Sequence, residues 1–401
     1  DAKADIAEYM AREKYPYFTD DEIQAIVEDY IDGNLIDTVI NDPELSAEIL
    51  ACYNAYKAPP PPPPAPPTNQ FAADYPEIAA YIAAIKASLK PVAEANDGAG
   101  WADTLATMHE AFPDTAFILS AGDQIEVPGD VNEWSLFFYP PELRTIPLAP
   151  TAGSHDHLGS GKGAGPVTSY AFDYHFYRPN EADPLINDRD GMPLASGDYY
   201  FTYGNALIMV LNMDSTDYDA HEEFLQAAVD ANPRAKWRIV MWHYTIYSSS
   251  GRGLSVDRAE MVSMMDSLDI DLVFMAHDHV FCRTHQMLAD EAMADQIVND
   301  KGEVVNPTGT LYMTINSASG SKYNSVSGSV VINPDKTVNP DWYWVAAYGQ
   351  PKLPGFSYVS VDANNLKITT YVINADDTIS EYDDYSIVKL DPPKPRPPLK
   401  K

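Results

Sequence analysis

The chain has 401 residues, 45% hydrophobic and 11% aromatic, enough for two or three domains of the usual ~100–200 residues with a sizeable core. Its 59 acidic residues against 26 basic ones leave a net charge of −33, which argues against nucleic acid as a partner, since phosphate-backbone binding needs clustered Lys and Arg. No apolar run reaches the roughly 18 residues of a membrane span, and two cysteines, Cys52 and Cys282, are too few for a disulfide scaffold or a cysteine zinc cluster. One bridge or two free thiols both stay open. The chain starts at Asp1 without a methionine, so a processed, exported chain, extracellular or at the cell surface, is expected. Its acidity suits a cation-rich exterior and repels anions at long range, so any phosphate site must bring its own positive charge.

Residues 1–57 read as a small helical unit. Thr19 followed by Asp20, Asp21 and Glu22 forms an N-cap with an acidic first turn, Ile23, Ile26, Val27 and Tyr30 recur at helical spacing, and a second helix follows from Asp42 to about Tyr56. So short a unit buries little alone and is either a protein-docking element or a plain extension. Residues 58–68 are a spacer, with eight prolines between Ala58 and Pro67, stiff and extended. Residues 69–390 form the main domain, and residues 391–401 a proline-rich basic tail. A protein partner engaged through 1–57 or the proline-rich segments is the expectation that goes with these attachments.

Within the main domain a helix runs from Asp74 to Leu89, ahead of Pro91, and another from Trp101 to about Ala111. Apolar strands and helical patterns then alternate: a strand at Ala116–Ser120, one at Leu207–Leu211, a helix at Ala220–Ala231, a strand at Trp237–Trp242, a helix at Asp257–Leu268 and a strand over 270–275. That alternation means an α/β domain. Past residue 310 the chain becomes mainly β, with strands expected at Thr310–Ile315, Phe356–Val361, Leu366–Ile373 and Tyr385–Leu390.

Several strand ends carry groups suited to holding a metal. The strand before Met275 runs into Ala276-His277-Asp278-His279. In extended chain, positions i and i+2 point the same way, so both imidazoles can aim at one volume, and neutral imidazole is the commonest metal ligand among side chains. Leu119 and Ser120 lead to Gly122-Asp123, Pro147–Ala152 leads to Gly153-Ser154-His155-Asp156, and Trp242 is followed by His243. Ligands at the same end of neighbouring strands converge, which is how open α/β sheets build sites.

This order and setting resemble the calcineurin-like metallophosphoesterases, in particular their purple-acid-phosphatase-like branch, which carries Gly-Asp, Gly-Asn-His-(Asp/Glu), a lone histidine after a strand, and Gly-His-x-His. The resemblance implies a sandwich of two mixed sheets flanked by helices, here with the small N-terminal helical unit added. It implies one or two divalent or trivalent transition metals (Fe, Zn or Mn) that clamp a phosphate ester and activate water. Carried over residue by residue, Asp123 bridges the metals. His243 and His277, with Ser154 beside them, hold one metal, and His279 holds the other. His155 stands near the leaving-group oxygen as acid or stabiliser. Arg252 and Lys322 are candidates for neutralising substrate phosphate.

The pattern breaks in two places. The family opens with an Asp-x-His or Asp-x-Gln strand element, and this chain has Leu89-Lys90-Pro91-Val92-Ala93-Glu94-Ala95-Asn96-Asp97 there, with no strand pattern and only Glu94, Asn96 or Asp97 as oxygen donors. Ser154 replaces the family's asparagine, and a neutral hydroxyl is a shorter and weaker ligand than an amide oxygen. One metal site is therefore nearly complete and the other half complete. The expected function is a metal-dependent phosphoester hydrolase, impaired by the incomplete site. The alternative is a catalytically inactive protein of the same fold that serves as an extracellular structural or interaction module.

Overall fold

Ala206 to Leu211 carry no polar side chain, so a strand made from them needs cover on both faces. The computed structural model, which describes residues 98–157, 170–182, 196–252, 256–330 and 338–390, supplies that cover. In chain order its main elements are α1 (Gly98–Ala111), β1 (Ile118–Ser120), α2 (Val131–Phe137), β2 (Leu148–Pro150), α3 (Ser154–His157), α4 (Tyr170–His175), β3 (Tyr199–Tyr203), β4 (Ala206–Val210), α5 (Tyr218–Ala231), β5 (Trp237–Met241), α6 (Arg258–Ser267) and β6 (Leu272–Met275). Eight more strands complete the domain: β7 (Phe281–Leu288), β8 (Glu291–Ala292), β9 (Val304–Val305), β10 (Thr310–Thr314), β11 (Val345–Gly349), β12 (Gly355–Val361), β13 (Asn365–Ile373) and β14 (Ile379–Val388). The readings of residues 1–57, the proline spacer, the helix from Asp74, the stretch Leu89–Asp97 and the basic tail lie outside the described residues.

The central layer is an eight-stranded sheet in the order β11-β7-β10-β6-β5-β4-β3, with β8 added to β7. Strands β4, β5, β6 and β10 run parallel, and β3, β7 and β11 run antiparallel to their neighbours. Alternate residues point to opposite faces. Leu207, Met209, Val240, Trp242, Val273 and Met275 pack with Leu225, Met261 and Met265 of α5 and α6. Ile208, Val210, Ile239, Met241, Leu272 and Phe274 pack the other way, against Leu366, Ile368 and Ile387 of the second layer. The two helices begin on aspartate caps, Asp217 accepting from the Ala220 N–H and Asp257 from the Ala259 N–H, which satisfies donors the helix leaves unpaired.

The second layer departs from the expected single sheet. It is in two pieces, a parallel pair β1-β2 and a four-stranded sheet in the order β12-β13-β14-β9. Both pieces pack on the same face of the central sheet, because Phe117, Leu119 and Ala149 join the cluster that holds Leu366 and Ile368.

Strands β7 and β11 escape the sequence reading. β7 carries Arg283, His285 and Gln286, which hide its apolar character. Two of these groups find partners in the second layer: Arg283 pairs with Asp383 at 2.7 Å and lies over the Tyr385 ring, and Gln286 donates to the Tyr385 hydroxyl at 3.2 Å while its Oε1 stays unpaired. Strand β14 begins at Ile379 rather than Tyr385, since antiparallel pairing along the whole of β13 extends it. Cys282 is a free, buried thiol, and burial pushes its ionisation up. No helix among the described residues is long and apolar enough to cross a membrane.

Candidate metal centre

The C-terminal ends of β1, β2, β5 and β6 deliver Asp123, His155, His243 and His277 to one end of a cavity between the layers. The turn after β1 needs Gly122 for two reasons. Its φ of 95° is a left-handed conformation, and a side chain there would collide with the His243 ring and Gly153. Asp123, His277 and His279 also have left-handed backbones, with φ of 55°, 67° and 49°. Such strain in non-glycine residues persists only where the surroundings enforce it, and it clusters at functional sites. The extended conformation expected for His277 and His279 is therefore corrected. They lie in a tight turn beyond β6, where the Asp278 N–H donates to the Ala276 carbonyl at 2.7 Å.

Asp123, His243 and His277 each offer one ligand atom, and these atoms lie within 4.8 Å of one another. His243 Nδ1 sits 2.8 Å from the Ala121 carbonyl. A proton on Nδ1 donates there and leaves Nε2 to face the site, the usual way a protein orients a ligating imidazole. Nε2 lies 3.1 Å from His277 Nδ1 and 3.2 Å from Asp123 Oδ2. Oδ2 is shut off from solvent and accepts no hydrogen bond. Asp123 Oδ1 is occupied, accepting the His155 N–H at 2.9 Å, with the Ser154 hydroxyl 3.5 Å away. An orphaned carboxylate oxygen facing two imidazole nitrogens suits a cation, and the donor set matches zinc, iron or manganese.

Electrostatics points the same way. Burial alone would raise the Asp123 carboxyl, but the charge of His243, with help from His155, holds it well below the usual carboxylate range. Burial would keep His243 neutral, yet Asp123 raises it to about 9. Burial, then repulsion from His243 and Arg252, lowers His277 to about 3. A proton on His243 thus does part of the work a cation does.

His279 stands apart from the triad. Its Nδ1 lies 3.2 Å from the Lys322 carbonyl, and burial lowers its basicity. His155 Nδ1 lies 3.2 Å from Glu126 Oε2. Arg252 donates to the His277 carbonyl at 3.2 Å and sits 3.7 Å from Asp278. Lys322 Nζ lies 3.9 Å from Glu126. Both cations are about half exposed, and Lys322 borders the cavity.

Asp156, to which the sequence reading gives no role, is fully buried and holds the two glycine turns together. Its carboxylate accepts the Asp123 N–H at 2.9 Å, the Gln124 N–H at 3.0 Å and the Gly153 N–H at 2.7 Å. The signal was an aspartate inside a glycine-rich strand exit. Asp156→Ala leaves three enclosed N–H groups unpaired, at about 1–3 kcal/mol each. We expect a total loss of roughly 3–5 kcal/mol in a thermal or urea melt, together with weaker metal uptake; an unchanged melt contradicts this role.

The calcineurin-like phosphoesterase family model matches residues 92–281. An uncharacterized protein of Mycobacterium tuberculosis, found in strains CDC 1551 and H37Rv, is 25% identical over 219 residues, which is 48% of this chain and 39% of that protein. Among solved structures, the purple acid phosphatase PPD1 from yellow lupin (Lupinus luteus) seeds has a similar fold, with a TM-score of 0.54 and 18% identity over 72% of this chain and 49% of that one. The chain thus spans about half or less of the length of these proteins. The family match covers all the strand exits that carry Asp123, His155, His243 and His277, and over residues 92–281 the chain is similar to the calcineurin-like phosphoesterases, with a fold like that of the lupin purple acid phosphatase.

Proposed function

We propose that the protein hydrolyses phosphate esters with a transition metal held by Asp123, His243 and His277. The observation that carries this reading is the orphaned Asp123 Oδ2 facing two imidazoles. A bound ion supplies Lewis acidity and draws water toward ionisation at neutral pH. The chain's own groups do the rest. Ser154 lies beside Asp123 as a weak additional oxygen, and His279 would serve a second, less complete position. His155, oriented by Glu126, is placed to give a proton to the leaving-group oxygen. Arg252 and Lys322 bring positive charge to the rim of a strongly acidic protein, where an anionic substrate needs it.

The second reading is an inactive module of the same fold, exported and engaged through residues 1–57 or the proline-rich segments. It is favoured by the separation of His279 from the triad. Metal analysis of the purified chain, combined with turnover of an aryl phosphate, separates the two. The hydrolase reading expects at least one transition metal per chain and turnover that His277→Ala lowers by about 100-fold or more, in line with the loss of a group that stabilises the transition state. Less than one metal per chain, with no turnover after adding manganese, zinc or iron, leaves only the second reading.

A further inference from the structure

His277 lacks the usual brace of a ligating imidazole. His243 has the Ala121 carbonyl at its Nδ1 and His279 has the Lys322 carbonyl, which is how proteins commonly fix such rings. The His277 Nδ1 faces His243 within the triad, and among the described residues its ring makes no hydrogen bond outside that cluster. Its backbone is left-handed, with φ of 67°, and its side chain is not fully enclosed. Packing must hold the ring in place.

Tyr244 supplies that packing. Its ring meets the His277 imidazole edge to face, with centroids 4.9 Å apart and 63° between the planes. It meets the His243 imidazole in the same manner, at 5.2 Å and 71°, so one phenol ring walls both imidazoles. Edge-to-face contact is a favoured and directional geometry for aromatic pairs. Consecutive side chains of extended chain face opposite ways. His243 and Tyr244 meet because the chain bends after β5, where the Trp242 indole N–H donates to the Tyr244 carbonyl at 2.5 Å.

The phenol is itself tethered. Its hydroxyl donates to Asp214 Oδ1 at 2.5 Å, in the loop that follows β4, and a hydrogen bond to a carboxylate is stronger than one to a neutral acceptor. That loop is pinned at several points. The Asn212 N–H donates to Asp198 Oδ1 at 2.9 Å. The Asn212 amide donates to the Ser196 carbonyl at 2.9 Å and accepts the Asp214 N–H at 3.3 Å. His221 of α5 bridges Asp198, at 2.5 Å, and the Ser215 carbonyl, at 3.4 Å. Asp198 and His221 are both shut off from solvent, so Asp214 stands on a braced loop.

Any buried tyrosine needs a partner for its hydroxyl. Tyr247 shows the ordinary case: its hydroxyl donates to Asp290 at 2.5 Å, but its ring packs on Tyr312 and Trp344. Tyr244 differs in that its ring rests on two metal-ligand candidates.

We propose that Tyr244, tethered to Asp214, is a positioning residue of the metal centre, whose ring fixes the angle of the His277 imidazole as the Ala121 carbonyl fixes that of His243. This role rests on the metal-centre reading given above. It gives Tyr244 no contact with metal or substrate.

Cobalt(II) titration of the full chain, followed by the visible absorption of the bound ion, tests it. Tyr244→Phe keeps the ring and removes the tether, and Asp214→Ala removes the other half of it. Each should weaken cobalt binding about tenfold, at the lower end of the range for groups behind a ligand. The double variant should be no weaker than either alone, because both cut one link. Asp214→Asn keeps an acceptor oxygen and should stay within about threefold of wild type. Tyr244→Leu, without the ring, should bind about 100-fold more weakly and shift the cobalt spectrum. Tyr247→Phe removes a comparably tethered hydroxyl away from the imidazoles and should leave cobalt binding unchanged. Unchanged binding in Tyr244→Phe and Asp214→Ala overturns the proposal alone, and these two variants decide it even where Tyr244→Leu does not fold. Equal weakening in Tyr247→Phe also overturns it, as a general loosening of the core. A wild-type chain that takes up no cobalt removes the metal-centre reading and the proposal together.

Discussion

His243→Ala should bind no transition metal usefully, lose turnover and melt well below the wild type. Its imidazole is the most buried member of the triad and the main counter-charge to Asp123. Removing one partner of a buried pair leaves the other uncompensated, which costs about 3–5 kcal/mol. Loss of a ligand should weaken metal binding beyond the ~10–100-fold typical of losing a group behind a ligand.

The pH dependence has a definite sign. His243 is raised from 6.5 to about 9, so in the metal-free chain the pair's contribution is full below pH 6.5. It declines as pH rises and is gone above about 9. That shift corresponds to about 3 kcal/mol. Metal binding needs the same nitrogen free of its proton, so affinity should rise over the same window. Melts at pH 6 and pH 9, compared between wild type and His243→Ala, check both points. An equal pH response in the two proteins would show that His243 is not the titrating group.

Gly153→Ala should be nearly as damaging although it removes no ligand. An added methyl meets the Asp123 backbone nitrogen and carboxylate oxygen and the His243 Nδ1. The first two are pinned by Asp156 and the His155 N–H, so the ligands themselves must move. A misplacement of about 1 Å can cost roughly 100-fold in rate, and overpacking typically costs about 1–3 kcal/mol. Gly204→Ala is the control, because a methyl there meets nothing. Its φ of 58° makes it cost about 1–2 kcal/mol of backbone strain, with turnover unaffected. Full activity in Gly153→Ala would mean that the two turns do not position Asp123.

Much of this could be read in the sequence because the informative residues sit where apolar runs stop. Gly122-Asp123, Gly153-Ser154-His155-Asp156, His243 and His277 each follow a buried strand, and parallel pairing of β4, β5 and β6 needs no long-range knowledge once the α/β alternation is seen. Strand β7 was hidden because Arg283 and Gln286 find their partners on β14, about a hundred residues later. The separation of His279 from the triad was hidden too, since spacing cannot report that left-handed backbone at His277 and His279 replaces extended chain. Nor does the sequence show that Asp156 binds three N–H groups from two loops, which depends on β1 and β2 lying side by side.

Cys282 sits near the start of β7, between Thr314 of β10 and Tyr348 of β11, sealed from solvent with a thiol reluctant to ionise. An alkylating reagent can reach it only when those three strands part. Its labelling rate is therefore an internal clock for breathing of the central sheet, readable on the untouched protein by mass spectrometry of one fragment.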